Sequence, residues 1–253
     1  MADFYTDQAE GLRRLMGGLS FQVVAFGQGE EKLGQSTVIA NVALHLARLG
    51  RNVLIVDEHN NEGISHYFGK PNTRVLQSLT THVRLLRVEG NFIQTPDFKR
   101  LLNINPPIDT ILIDGATAHV SFWMLRADSV IVLVNANAQS VSNAYQMIKV
   151  LAENKMQSLH LFVNLVKNAK QAHFAFEKLS QTLLKREIAH LYFAGFLPFD
   201  AQIKNSAHTG KPFLKHYPQS SCAQIFYNLA ENIQNMDEGR YAHLAQFLES
   251  VSH

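Results

Sequence analysis

The chain has 253 residues, 46% of them hydrophobic and 17% charged, a composition that suits one large globular domain with a substantial core. A formal net charge of +2 gives no electrostatic case for direct nucleic-acid binding, and the 12 histidines are scattered without metal-ligand spacing. Cys222 is the sole cysteine, which excludes an intrachain disulfide and fits a reducing cytoplasm; the N-terminus carries no apolar leader core, and the longest strongly apolar run, near residues 130–134, is far too short to cross a bilayer.

Residues 1–19 precede the first strand and end in MGGLS, whose two glycines predict a flexible joint. A first apolar run at 22–26 is followed by a glycine-rich turn and a helical pattern at 37–49. Further runs fall at 53–56, 110–113, 129–134, 159–163 and 191–196, with helical patterns at 141–153, 172–184 and 222–233. The runs are rich in Val, Ile and Leu without clean alternation, as parallel strands buried on both faces are. Strands alternating with helices predict right-handed crossovers and a doubly wound, mostly parallel α/β sheet flanked by helices, in a single domain over residues 20–234. In the tail, 235–253, Tyr241, Leu244, Phe247, Leu248 and Val251 fall on one helical face and predict an amphipathic helix.

The turn after the first strand, residues 27–37, reads GQGEEKLGQST. Gly29, four residues, Gly34, then Gln35 and Ser36 is the spacing of a phosphate-binding loop. In such a loop backbone N–H groups and a helix N-terminus cradle a polyanion, a lysine reaches the β and γ phosphates, and Ser or Thr contacts Mg²⁺. Here Gln35 stands at the lysine position, and Glu30 and Glu31 set two negative charges on the loop against Lys32 alone. Two unit charges about 4 Å apart interact by roughly 4 kcal/mol at an effective dielectric of about 20. Exchanging that attraction for neutrality and repulsion predicts a loss of about two decades or more in ATP affinity. Asp57 and Asp114 each end an apolar run, where such folds hold Mg²⁺ or its water; the plainer alternative for each is a strand-end turn residue. Glu58 and His59 follow Asp57, but without the lysine little would stabilise charge on a transferred phosphoryl group.

These residues resemble the MinD/ParA superfamily of deviant Walker ATPases and, within it, the FlhG/FleN flagellar regulators. The family motif SGKGGVGKT lies without a gap over residues 28–36, so Glu30 and Gln35 replace both family lysines, and Glu31 and Lys32 replace two glycines. Asp57, Glu58 and His59 stand over the family's DxD, with His59 in place of the aspartate that orients water, and Asp114 stands over the Walker B aspartate. Asn164 falls where the family contacts adenine, and FLPFD, 196–200, resembles the loop beside the base. The resemblance covers residues 4–233 and is shorter than the family between 69 and 109, where a switch region and a crossover are trimmed. It implies a vestigial nucleotide site of Gly29, Gly34, Gln35, Ser36, Thr37, Asp57, Asp114 and Asn164, with Ser36, Asp57 and Asp114 on the metal only where Mg-ATP binds, and with no catalytic residue. The implied cofactor is none, or ATP or ADP with magnesium where residual binding persists.

The N-terminal DQAEGLRRL, residues 7–15, matches the FlhG motif DQAxxLR. In that family the segment is a short helix that enters the partner GTPase FlhF and stimulates GTP hydrolysis. The resemblance therefore implies Asp7, Gln8, Leu12 and Arg13 as partner-binding residues, Gln8 orienting a water and Arg13 neutralising charge on the transferred group. The alternative is an ordinary amphipathic helix folded back on the body. A flagellar transcription activator is a second implied partner, and direct nucleic-acid binding is not expected. The family's C-terminal membrane-targeting helix has a poor counterpart here, since Arg240 is the tail's only Lys or Arg against Asp237, Glu238 and Glu249. Contact with anionic lipid is expected to be weak, and packing on the domain or on another protein is the stronger expectation. Trp123 is expected in core or interface packing.

Three functions follow. The first is a regulator of flagellar number or placement with lost or weak ATPase activity, acting by protein contact that includes the FlhF-type GTPase. The second is a slow ATPase that dimerises on ATP, and the third a regulator of another assembly. The expected location is cytoplasmic, with recruitment to the cell pole or membrane surface.

Overall fold

The central strand, β1 (Gln22–Gln28), is buried along its whole length. The computed structural model describes residues 21–58, 63–70, 76–88, 101, 103–236 and 241–251. The N-terminal motif, with Asp7, Gln8, Leu12 and Arg13, lies outside the described residues, as does His59. Around β1 an eight-stranded sheet takes the order β3-β4-β2-β5-β1-β6-β7-β8. The other strands are β2 (Val53–Asp57), β3 (Gln77–Ser78), β4 (Val83–Arg87), β5 (Thr110–Asp114), β6 (Ser129–Val134), β7 (Leu159–Val166) and β8 (Tyr192–Pro198). Every pairing is parallel except β3 with β4.

The period of two in each strand divides the core. Val23, Ala25, Ile111, Ile113, Val130 and Val132 face one layer, while Val24, Phe26, Leu112, Ile131 and Leu133 face the other. Both faces are covered, so the strands read as continuous apolar runs. The first layer packs α3 (Phe122–Arg126), α4 (Ala138–Glu153) and α5 (Ala169–Lys185); the second packs α1 (Gln35–Arg48), α7 (Phe213–His216) and α8 (Ser221–Gln234). Shorter helices are α2 (Gly63–Tyr67) and α6 (Ala201–Thr209). Side-chain caps fix several helix starts: Asn137 accepts from the Ser140 N–H at 2.7 Å and Ser220 from the Ala223 N–H at 3.0 Å.

The predicted runs and patterns all correspond to elements, the run at 129–134 with the same ends as β6 and the others with shifted ends. α1 starts at Gln35 rather than residue 37, because Gly34 in the left-handed region (φ 77°) turns the chain into the helix. Two strands, β3 and β4, have no counterpart in the sequence reading: β4 is VRLLR, and its arginines break the apolar run. At the end of the chain α9 (Leu244–Ser250) lays Leu244, Phe247 and Leu248 into the first core layer. Trp123 stacks at 5.9 Å on Phe247, the Tyr241 hydroxyl donates to the Arg126 carbonyl at 3.0 Å, and Arg126 Nε donates to the Ser250 carbonyl at 2.9 Å. No helix among the described residues is long and apolar enough to cross a membrane.

Candidate functional site

The carboxyl ends of β1, β2, β5 and β7 place the eight residues singled out in the sequence along one edge of the sheet, where α/β folds bind ligands. The loop between β1 and α1 starts at Gly29. A Cβ there would collide with Asn143 on α4, so only glycine lets the loop lie this close, and Asn143 Nδ2 donates to the Gly29 carbonyl at 3.1 Å. The Glu30 carboxylate turns toward the end of β6, where Asn135 Nδ2 donates to it at 3.1 Å. Glu31 and Lys32 are exposed. Lys32 keeps a left-handed backbone (φ 64°) where glycine would be at ease, a conformation costing a side-chain-bearing residue about 1–2 kcal/mol.

Gln35 is 2% exposed and closes the loop onto β5. Its Nε2 donates to Asp114 Oδ1 at 2.6 Å and to the Gly115 carbonyl at 2.8 Å. The Ser36 hydroxyl donates to the other oxygen, Asp114 Oδ2, at 2.8 Å. Both oxygens of this fully buried carboxylate are therefore engaged by the first two residues of α1. The chain after Asp114 is tied back as well: Gly115 N–H donates to the Phe26 carbonyl at 3.0 Å, and Gln28 Nε2 reaches the Thr117 hydroxyl at 3.1 Å.

Asp57 sits beside Asp114 in the register of β2 and β5, but its charge is met from the other side. Arg87, at the end of β4, brings Nε to 3.3 Å from Asp57 Oδ2 and donates to the Ser65 hydroxyl at 2.9 Å. Both members of the pair are buried, at 5% and 1% side-chain exposure. Glu58 accepts from the Ser121 hydroxyl at 2.6 Å, which locks the loop before α3. Among the described residues no group of three His, Cys, Asp or Glu is placed to hold a metal ion.

Asn164 and Thr37 border a cleft of about 600 Å³ between the loop, α6 and the end of β8. The Asn164 amide donates to the Leu33 carbonyl at 2.6 Å and its oxygen accepts from the Leu165 N–H at 2.8 Å, so this residue braces the loop from behind. Asp200, in the FLPFD loop, caps α6 by accepting from the Gln202 and Ile203 N–H groups at 2.7 and 3.1 Å. It also receives the Cys222 thiol at 3.5 Å, and burial together with the Asp200 charge pushes that thiol up to about 11, leaving it un-ionised at neutral pH.

Of the residues singled out in the sequence, Gln35, Ser36 and Asp114 bond one another, whereas Asp57 is met by Arg87 and Asn164 donates to the Leu33 carbonyl. The position that would supply a cation to a polyphosphate supplies an amide committed to Asp114, and Asp57, an expected metal ligand, carries an arginine. This donor set does not fit a magnesium triphosphate. Arg87, Asn135 and Asn143 escaped the sequence reading. Arg87 carried a signal, an arginine closing the short stretch VRLLR, whereas Asn135 and Asn143 are recognisable only once the end of β6 and α4 are folded against the loop.

No family model matches the chain. It is 22% identical over 268 residues to the antiactivator FleN of Pseudomonas aeruginosa, covering 91% of this chain and 93% of that one. Its fold superposes on the MinD cell division protein of Aquifex aeolicus with a TM-score of 0.68 at 19% identity, covering 85% of this chain and 98% of the other. A ParA family ATPase of Chlorobium tepidum matches with a TM-score of 0.65 at 18% identity, over 84% and 98%. At these identities the structural likenesses establish the fold, and the match to FleN runs nearly end to end in both chains.

Proposed function

We propose that the chain is a FleN-like protein of the MinD/ParA superfamily that regulates by protein contact from a scaffold that no longer hydrolyses ATP. The observation carrying this reading is the Gln35 side chain buried on Asp114. In a hydrolysing site the lysine at this position pulls charge from the phosphates, and its carboxylate partners hold magnesium. Here the amide ties the loop to β5, and Arg87 neutralises Asp57, so side-chain contacts join the loop to β5 and β2 to β4.

The partners follow from the terminal motif and from the relative. DQAEGLRRL would enter a flagellar GTPase of the FlhF type, with Gln8 and Arg13 raising GTP turnover, and the readout would be flagellar number or placement. Because the similar FleN is an antiactivator, a flagellar transcription activator is the second partner on this reading.

Two measurements test it. Phosphate release from Mg-ATP by the full-length chain stays at the no-enzyme background; sustained turnover overturns the reading. Purified chain added to the GTPase accelerates GTP hydrolysis, and Gln8→Ala with Arg13→Ala abolishes the acceleration; no stimulation, or stimulation indifferent to both changes, removes the partner assignment.

A further inference from the structure

On the opposite edge of the sheet from the phosphate loop, the amino ends of β7 and β8 and the C-terminal end of α8 border a groove of about 610 Å³. Tyr192, Phe193 and Met236 form its apolar side, and the Tyr192 ring is 50% exposed. Asn232 and Asn235, both exposed at the end of α8, form its polar side. Among the described residues no Lys, Arg, Asp or Glu lines it. α8 is a 14-residue helix whose last turn holds no basic residue, while Glu231 in that turn is exposed. The negative end of the helix dipole thus has a carboxylate added to it and no cation in the same turn, so a positive group brought there is favoured.

The start of the domain lies against the same groove. Gln22 Nε2 donates to the Gln234 and Met236 carbonyls at 3.4 and 3.3 Å, which ties the beginning of β1 to the end of α8. Residues 16–20, MGGLS, span at most about 17 Å, at about 3.3–3.6 Å per extended residue. The preceding DQAEGLRRL is therefore tethered within reach of the groove, at an effective concentration on the order of millimolar. It carries what the groove lacks. Arg13 and Arg14 supply cations for the end of α8, and Leu12 and Leu15 supply apolar side chains for Tyr192 and Met236.

Resting on the reading of DQAEGLRRL as the partner-binding segment, we propose that in the unpartnered protein residues 7–15 dock in cis in this groove. Arg13 and Arg14 sit at the C-terminal end of α8, and Leu12 and Leu15 cover the apolar side. The contact is autoinhibitory: an Arg13 held against α8 is withheld from the GTPase, which must compete with the groove for the motif. Tethering makes a weak contact sufficient, and a weak contact is one that a partner can displace.

The experiment is limited trypsin digestion of the full-length chain, with release of residues 1–13 and 1–14 followed by mass spectrometry. Asn232→Lys places a cation at the end of α8 and should speed cleavage after Arg13 and Arg14 about three- to fivefold, the size of an exposed charge contact. In an Arg14→Glu background the sign reverses, and Asn232→Lys should slow cleavage after Arg13 by a similar factor. Gln181→Lys, which adds the same charge on α5 away from the groove, should change neither rate. No acceleration by Asn232→Lys, an effect of the same sign in both backgrounds, or an equal acceleration by Gln181→Lys overturns the inference while the protein-contact function stands. In the GTPase assay Asn232→Lys should reach half-maximal stimulation at about a three- to fivefold lower concentration than wild type. If the digestion gives the expected pattern and neither protein stimulates, the docking stands and the partner assignment falls.

Discussion

Replacing Gln35 by lysine restores the missing cation at the place where the loop closes, and the structure sets the size of the effect. The change removes two hydrogen bonds from the Gln35 amide, at 2.6 Å to Asp114 Oδ1 and 2.8 Å to the Gly115 carbonyl. A hydrogen bond to a charged group contributes about 1.5–3 kcal/mol, and an ammonium beside the same carboxylate recovers most of it, so the fold survives. Toward a triphosphate the gain is a new attraction of roughly 4 kcal/mol at about 4 Å and an effective dielectric of about 20. Competition from Asp114 for the same ammonium halves this or more, which leaves about one to two decades in affinity. The assay is a titration of full-length wild type and Gln35→Lys with a fluorescent ATP analogue and magnesium, with melting curves to show that both are folded. Binding should tighten about ten- to hundredfold in the variant, without hydrolysis, because Arg87 still occupies Asp57. An unchanged affinity in a folded variant would refute the claim that the lost charge is what disables the loop.

Other consequences are open to measurement. Arg87→Ala takes the cation from beside a buried carboxylate and should cost about 3–5 kcal/mol in urea unfolding, and Arg87→Met combined with Asp57→Asn should recover much of it. Lys32→Gly relieves the left-handed strain and should raise the melting temperature by about 2–4 °C, a gain of about 1 kcal/mol. Burial holds the His160 imidazole below its ordinary value of 6.5, so the unfolded chain binds the proton more readily and stability falls as pH drops through that value. The urea midpoint should therefore decrease from about pH 7.5 to about pH 5.5, and less steeply in His160→Gln; an identical slope in that variant would remove His160 as the cause.

The sequence disclosed the fold where one physical signal dominated. Runs such as SVIVLV had to be doubly buried strands, and with amphipathic stretches between them the topology had little freedom. β4 was invisible because its arginines contradict burial until Asp57 is set beside Arg87, a partner thirty residues away in the chain. The site was legible in part for the same reason. Loop spacing singled out Gly29, Gly34, Gln35 and Ser36, strand ends singled out Asp57 and Asp114, the resemblance added Asn164, and the charge count showed that the loop had changed character. The bonding could not be read there. A glutamine in place of lysine states what was lost, not that the amide would turn inward onto Asp114. Nor does a glutamate on a loop announce that an asparagine just beyond a neighbouring strand will hold it aside, as Asn135 holds Glu30.

The docking of α9 gives the C-terminus a second duty. Leu244, Phe247, Leu248 and Val251 are all nearly or fully buried against the domain, and burying a large apolar side chain contributes about 1.5–3 kcal/mol. Taken together they make the last turn of the polypeptide a keystone rather than a streamer. A lipid surface recruiting this helix would have to outbid the protein's own interior for the same four side chains, and would leave Trp123 uncovered as it did so. Tags or truncations at this end are thus interventions in the core, and localisation experiments that rely on them report on folding as much as on address.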